Sequence, residues 1–278
     1  MANRMSTDKP TGVDTYNATI ERIETVADGL SIFFIRPDTP IPGRLPGHYV
    51  SIGLVGPDGK KLIRRPYSLS QSLGPAADPD LLELLIIRVP EGDLTPILFD
   101  QNEGERLFVR PKMVGTYLLP KLDADMTLIL ASTGTGVAPH MTMLETCVDT
   151  CKQVVMMECV RYSAELAYAE QIRQFQQTHP NLAYISLVTR EGGAKRYIQD
   201  YFRDGILEKE HGVSIAPETT HILACGNPAM IGIPKEDRKT GALSYDTPDG
   251  LVEILTTRYG LTIHKPRQPG QIHFEKYW

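Results

Sequence analysis

The feature that most limits what this chain can fold into is a change of texture part-way along it. Up to about Lys112 the apolar residues come in short runs punctuated by turn residues, at 19–26, 30–36, 49–55, 64–70, 81–89 and 106–110. Evenly spaced runs of that length read as the strands of a small antiparallel β-barrel. From Met126 onward, apolar strands alternate with helical stretches: a strand at 126–131, a helix at 137–151, a strand at 153–160, a helix at 164–178, a strand at 182–188 and, after another helix, a strand at 221–225. That alternation predicts a parallel α/β sheet. The joining stretch 119–125 lacks apolar periodicity, so the expected division is a barrel domain over 1–120 and an α/β domain over 121–278.

Composition narrows the function. With 278 residues, 41% of them hydrophobic, the chain can bury more than one core. A formal charge of -5 argues against nucleic acid as the main partner, because that binding rests on clustered cations neutralising phosphates. The four cysteines (Cys147, Cys151, Cys159 and Cys225) are too few and too scattered for a disulfide framework or an iron-sulfur signature, and no metal site is expected. Redox chemistry would have to come from a bound organic cofactor. No run of 18 apolar residues occurs and residues 1–10 lack the apolar stretch of a secretory signal, so the expectation is a soluble, cytoplasmic protein.

Five short segments carry chemistry. Arg65, Pro66, Tyr67 and Ser68 end one strand and supply a cation for phosphate, an aromatic face for a planar ring and a hydroxyl; the same residues also suit an ordinary surface. Gly92, Asp93, Leu94 and Thr95 follow another strand and open a short helix, with Thr95 suited to its cap and Pro96 to its first turn. Such a helix start can hold a pyrophosphate or be merely a capped helix. In 132–139 (STGTGVAP), Gly134, Thr135 and Gly136 join a strand to a helix where glycines let backbone approach a diphosphate, although the spacing is not GxGxxG. Thr189 and Arg190 end a later strand, Lys195, Arg196 and Tyr197 follow Gly192 and Gly193, and Arg161 ends the preceding strand. Together these suit a phosphorylated ribose and an adenine, or a solvated surface. Finally Cys225, Gly226, Asn227 and Met230 lie where the last strand ends, with Cys225 either beside a cofactor or simply a small buried residue.

In that order and spacing, RPYS, GDLT, GTGVAP, TRE with KRY, and CGNPAM resemble the ferredoxin-NADP reductases over nearly the full chain. The resemblance implies FAD as cofactor and NADP(H) as cosubstrate, with ferredoxin or flavodoxin as partner. It places Arg65, Pro66, Tyr67, Ser68, Ile86, Ile87, Arg88, Gly92, Asp93, Leu94, Thr95 and Thr135 at the FAD. The NADP set it implies is Gly134, Thr135, Gly136, Arg161, Thr189, Arg190, Lys195, Arg196, Tyr197, Cys225, Gly226, Asn227 and Met230. Ser68, near flavin N5, and Cys225, beside the nicotinamide, are the implied catalytic residues. The ending, Phe274 to Trp278, is similar to the bacterial branch, whose aromatic tail returns to the FAD, so Phe274, Tyr277 and Trp278 join the flavin set. The alternative for the terminal Tyr277 and Trp278, packing on the barrel as hydrophobic filler, is the less favoured. Phe274 stands where relatives often have a small residue. Residues 231–250 are longer and more polar than the family pattern, implying a surface insertion. Near the flavin edge, Lys60, Lys61, Arg64 and Lys112 are candidates for steering an acidic partner. Alternatives are a reductase serving an oxygenase, an electron-transfer flavoprotein subunit without its own nucleotide activity, and a non-redox flavin module. The intact TRE, KRY and CGNP elements speak against the second, and no output domain supports the third.

Overall fold

The computed structural model describes residues 15–73, 78–193, 195–237 and 239–277. Its contacts divide the chain into two units. The first holds residues up to Arg44, Tyr49–Leu69 and Asp78–Val114; the second takes Leu45–His48, a return beginning at Ser70, and everything from Gly115. The division therefore falls earlier than the expected boundary at residue 120.

The first unit contains β1 (Ala18–Ala27), β2 (Leu30–Pro37), β3 (Tyr49–Val55), β4 (Leu62–Ser68), β5 (Leu82–Ile87), the short helix α1 (Thr95–Phe99) and β6 (Arg106–Val109). They form a six-stranded sheet in the order β4-β3-β6-β1-β2-β5, paired antiparallel throughout. All six strands coincide with the runs seen in the sequence. Alternation explains why: Ile20, Phe33, Ile35, Val50, Ile52, Leu84, Ile86, Leu107 and Val109 share one apolar core. The end strands β4 and β5 approach each other, so the sheet curls toward closure. Gly29, at φ +67, makes the tight β1–β2 turn.

The second unit contains β7 (Thr127–Thr133), α2 (Val137–Thr150), β8 (Gln153–Val160), α3 (Ala169–Thr178), β9 (Leu182–Val188), α4 (Ile198–Arg203), α5 (Ile206–His211), β10 (Thr220–Gly226), α6 (Pro228–Ile231), a small hairpin of β11 (Lys235–Glu236) and β12 (Leu243–Ser244), α7 (Leu251–Arg258) and β13 (Ile272–Lys276). Five strands make a wholly parallel sheet, β13-β10-β7-β8-β9. Ile129, Ala131, Val155, Met157, Ile222, Ala224 and Ile272 point to the face that packs against α4, α6 and α7. The helix expected over 164–178 begins only at Ala169, because residues before it form a loop with a 3-10 turn at Ser163–Glu165. The ending expected as a tail is, over Ile272–Lys276, the fifth strand, and the polar stretch after Met230 carries the exposed hairpin. No helix among the described residues is long and apolar enough to cross a membrane.

One buried charge in this sheet has a thermodynamic signature. Glu158 is 0% exposed, accepts a 2.6 Å hydrogen bond from the Tyr184 hydroxyl through one oxygen, and its Oε1 finds no partner. Burial pushes its carboxyl up to about 7. A carboxyl whose folded value lies above its unfolded one favours folding in the protonated form, so its contribution is present below pH ~4.5 and is lost as pH rises toward 7. We expect Glu158→Gln to abolish that slope and to exceed the wild type in stability at pH 8 by about 2–3 kcal/mol, read from urea unfolding at pH 5 and pH 8.

Candidate functional site

On the first unit, β4 lies antiparallel to β3, with Arg65 opposite Ile52 and Tyr67 opposite Val50. Directly paired residues share a face, so Tyr67 packs its ring against the barrel core while Ser68 ends the strand. Burial pushes the Tyr67 hydroxyl up to about 12, so it stays a neutral donor. Arg65 pairs with Asp93, which brings together the RPYS and GDLT segments that lie far apart in sequence. Both partners are exposed, at 48% and 67%, and an ion pair this wet contributes about 0–1 kcal/mol. It can therefore be exchanged for a phosphate at little cost.

Thr95 does not cap α1. Leu94 occupies that position, and the Thr95 hydroxyl accepts from Val89 N (2.9 Å) and donates to Val89 O (3.1 Å). Gly92 N closes the same turn on Val89 O, and an added Cβ on Gly92 would meet that oxygen at 3.1 Å. A side chain there would press on that carbonyl and need it to give by a few tenths of an ångström. Leu94 is 1% and Ile86 1% exposed, so these two can offer only backbone to a ligand; Ile87 is half-buried, and Arg88 is exposed beside Asp100.

On the second unit the carboxyl ends of the parallel strands converge. β7 passes through a 3-10 turn, Gly134–Gly136, into α2. Gly134 sits exposed at φ +53 with no atom near its Cβ position, at a helix start where a phosphate group could approach the backbone. Gly136 is pressed onto the end of β10, where a Cβ would meet the Cys225 carbonyl oxygen at 2.3 Å. Gly226, at φ +126, lies on Thr133, whose hydroxyl accepts from Asn227 N at 2.7 Å. Asn227 Oδ1 then caps α6, accepting from Ala229 N at 2.8 Å, while Met230 turns into the core.

Beside this crown the loops after β8 and β9 are stitched together. Thr189 N and its hydroxyl both donate to Val160 O, and Arg190 N donates to Arg161 O (2.9 Å). The Arg161 guanidinium is held by Glu165, which also accepts from Arg161 N and Tyr162 N, and Ser163 N donates to Glu191. Lys195 Nζ lies 5.1 Å from the centre of the Tyr197 ring, itself 40% exposed. Arg161 and Arg190 thus meet at the ends of two neighbouring strands, while Lys195, Arg196 and Tyr197 lie on the chain leading into α4.

Cys225 is fully buried, and burial together with Glu275 holds its thiol well above the usual range. It is not a thiolate nucleophile. Glu275 stands in register with Cys225 across β13 and β10, and the Tyr277 side chain hydrogen-bonds the sulfur. Phe274 lies on the other face of β13, against the core shared with α6 and α7. Glu275 was missed in the sequence because only the pairing of β13 brings it to Cys225. Trp278 lies outside the described residues.

Residues 130–236 match the family model described as an oxidoreductase NAD-binding domain. The chain is 33% identical over 196 residues to the flavodoxin/ferredoxin--NADP reductase of Rhodobacter capsulatus, spanning 66% of this chain and 71% of that protein. The chain belongs to the ferredoxin-NADP reductase family. The ferredoxin--NADP reductase of Pseudomonas aeruginosa is 32% identical over 66% of this chain and 74% of its own length. Among solved folds, a ferredoxin NADP+ reductase from Neisseria gonorrhoeae with bound FAD and NADP superposes with a TM-score of 0.76 at 20% identity, covering 95% of this chain and 99% of that one. A cytochrome P450 reductase from Amycolatopsis gives 0.66 at 24% identity, over 94% and 69%. The reductase fold is thus shared.

The two glycines of the crown differ in what they tolerate. Gly136→Ala forces a methyl into backbone that cannot move aside, and we expect loss of about 2–4 kcal/mol and at least a tenfold weaker NADP+ affinity. Gly134→Ala meets no atom and carries only the left-handed penalty, about 1–2 kcal/mol. Urea midpoints and NADP+ titrations of both variants check the contrast.

Proposed function

We propose that the chain is an FAD-dependent ferredoxin (flavodoxin)-NADP+ oxidoreductase. The observation that carries this reading is the crown at the end of the parallel sheet, where the Gly134–Gly136 turn packs on the Cys225–Asn227 segment, with Arg161 and Arg190 paired through backbone at the ends of β8 and β9. FAD, when bound, accepts two electrons from NADPH and releases them one at a time to a small redox protein.

The residues present fit both groups. Arg65 would hold an FAD phosphate in exchange for Asp93, Tyr67 would lie along the planar ring system, and Ser68 would donate near its reacting edge. Backbone of Leu94 and Thr95 would take the pyrophosphate, with Gly92 shaping the turn before them. On the second unit, the open helix start at Gly134 would receive the NADP diphosphate and Tyr197 the adenine. Arg161, Arg190, Lys195 and Arg196 would bind the 2'-phosphate. The carboxylates of this crevice favour NADP over NAD for a specific reason. Glu165 and Glu191 are already engaged with a guanidinium or backbone amides, leaving them poorly placed to accept from a ribose diol. Cys225, a neutral thiol, would bound the nicotinamide without attacking it. Ser68 and Cys225 remain the proposed catalytic residues, each on its own unit positioning the cofactor that does the chemistry.

The test is the anaerobic visible spectrum of the purified protein before and after one equivalent of NADPH, and separately NADH. Flavin bands that bleach fast with NADPH and slowly with NADH are expected; bands that neither nucleotide bleaches would favour an electron-transfer subunit, and absence of flavin after FAD addition would overturn the reading. Arg190→Gln should raise KM for NADPH roughly 10- to 100-fold and leave that for NADH nearly unchanged, as a lost charge-assisted contact to phosphate requires. For the protein partner, Lys60 and Lys61 are exposed at the β3–β4 turn. Reversing both to Glu should slow ferredoxin or flavodoxin reduction about tenfold at low salt while small-dye reduction persists.

A further inference from the structure

Three histidines that the flavin and nucleotide segments leave unused line up across neighbouring strands of the second unit. β10 and β13 pair in parallel with Leu223 opposite His273, so His221, two residues before Leu223, lies on the same face as His273. On the outer edge of β13 the chain at Ile263 bridges Ile272 in parallel, and His264 N donates to Ile272 O (2.8 Å). The His264 and His273 rings stack with centres 4.3 Å apart, and the His273 and His221 ring centres are 5.7 Å apart. His273 is 8% exposed, His221 half-buried and His264 exposed, so solvent reaches the row at both ends.

The distance between two facing nitrogens decides what the row can do. His221 Nδ1 lies 3.5 Å from His273 Nε2. That is long for a hydrogen bond between nitrogens, which settles nearer about 3 Å. It is close to the edge of a tetrahedron around an ion held by imidazoles at about 2.0–2.1 Å, roughly 3.4 Å. Adjacent ligands of an octahedral or square ion at the same bond length span only roughly 2.9 Å. His264 does not converge on the same point: its ring is stacked at 21° to His273, and its Nδ1 accepts from Gly270 N (3.4 Å). Among the described residues no three His, Cys, Asp or Glu side chains are arranged to hold a metal. The geometry is therefore that of a two-ligand chelate whose remaining positions fall to water. Its backbone is set in advance, because Gln271 Oε1 accepts from Thr262 N and the Thr262 hydroxyl (both 2.9 Å) while Gln271 Nε2 donates to Pro217 O (2.9 Å). Lys265 Nζ, next to His264, pairs with Glu236 at 2.6 Å.

We propose that His221 and His273 form a site for one divalent ion of zinc's class, held by two imidazole nitrogens across β10 and β13 with water completing the tetrahedron. His264 stacks on His273 and is not a ligand. Imidazole nitrogens select zinc and its neighbours over magnesium and calcium, which take oxygen ligands. An ion that joins two strands of the folded sheet, and finds no such pair in the unfolded chain, stabilises the fold by mass action. The site requires neither FAD nor NADP(H), so its test is independent of the functional reading above.

The test is calorimetric titration of zinc chloride into the full-length, untagged protein at about pH 7.5, in a buffer that does not bind zinc. One-to-one binding is expected, weakened at least about tenfold in His221→Gln and in His273→Gln and unchanged within about threefold in His264→Gln. Excess zinc should raise the unfolding temperature of the wild type and of neither ligand variant, and magnesium should raise none of them. In protein carrying labelled histidine, zinc should shift the nitrogen NMR signals of His221 Nδ1 and His273 Nε2 ahead of all other ring nitrogens. Absence of zinc binding by the wild type, binding that survives both ligand variants, or equal uptake of magnesium would overturn the proposal. Should His273→Gln fail to fold, the half-buried His221→Gln and the wild-type NMR titration decide.

Discussion

The second unit depends on backbone touching backbone. Gly136, on the turn out of β7, lies directly on the carbonyl that ends β10, and Gly226 lies on Thr133. Neither contact tolerates a Cβ, so the two strand ends are locked at a spacing only glycine permits. From that lock follow the open turn at Gly134, the seat of Asn227 on the Thr133 hydroxyl and the burial of the Cys225 thiol just beneath. A binding surface made of main chain is rigid by construction, because no rotamer has to be chosen when a ligand arrives.

Beside this rigid crown the Arg161 side chain is held by a carboxylate placed to orient it. Glu165 holds the Arg161 guanidinium and two backbone amides of its own loop, and Glu191 ties that loop to the next strand end. On the first unit Asp93 does the same for Arg65, through an exposed pair too weak to resist a phosphate. The pattern keeps cations extended and ready while their resting partners remain replaceable.

Much of this was legible in the sequence. The six barrel strands follow from period-two alternation between turn residues, and β8 and β9 from short β-branched and aliphatic runs of strand length. The motif residues fell at strand ends because parallel sheets present their carboxyl ends to ligands. What escaped notice depended on distant partners. Ile272–Lys276 alternates too briefly to announce a strand and acquires that role only by pairing with β10. Thr95 has the chemistry of a cap, and the nearby Val89 backbone claims its hydroxyl instead. Glu158, His221 and His273 look like ordinary polar residues until the fold buries the first and brings the other two together.

The sequence by itself determined the fold class, the cofactor chemistry its motifs resemble and the residues at the ends of the strands, because local periodicity and turn chemistry act within a few residues. Only the tertiary structure decided that Glu275 stands beside Cys225, that Gly136 must lack a side chain, and that two histidines meet across β10 and β13. Each of those facts is set by strand register and close packing between segments separated by many residues, and no local pattern carries that information.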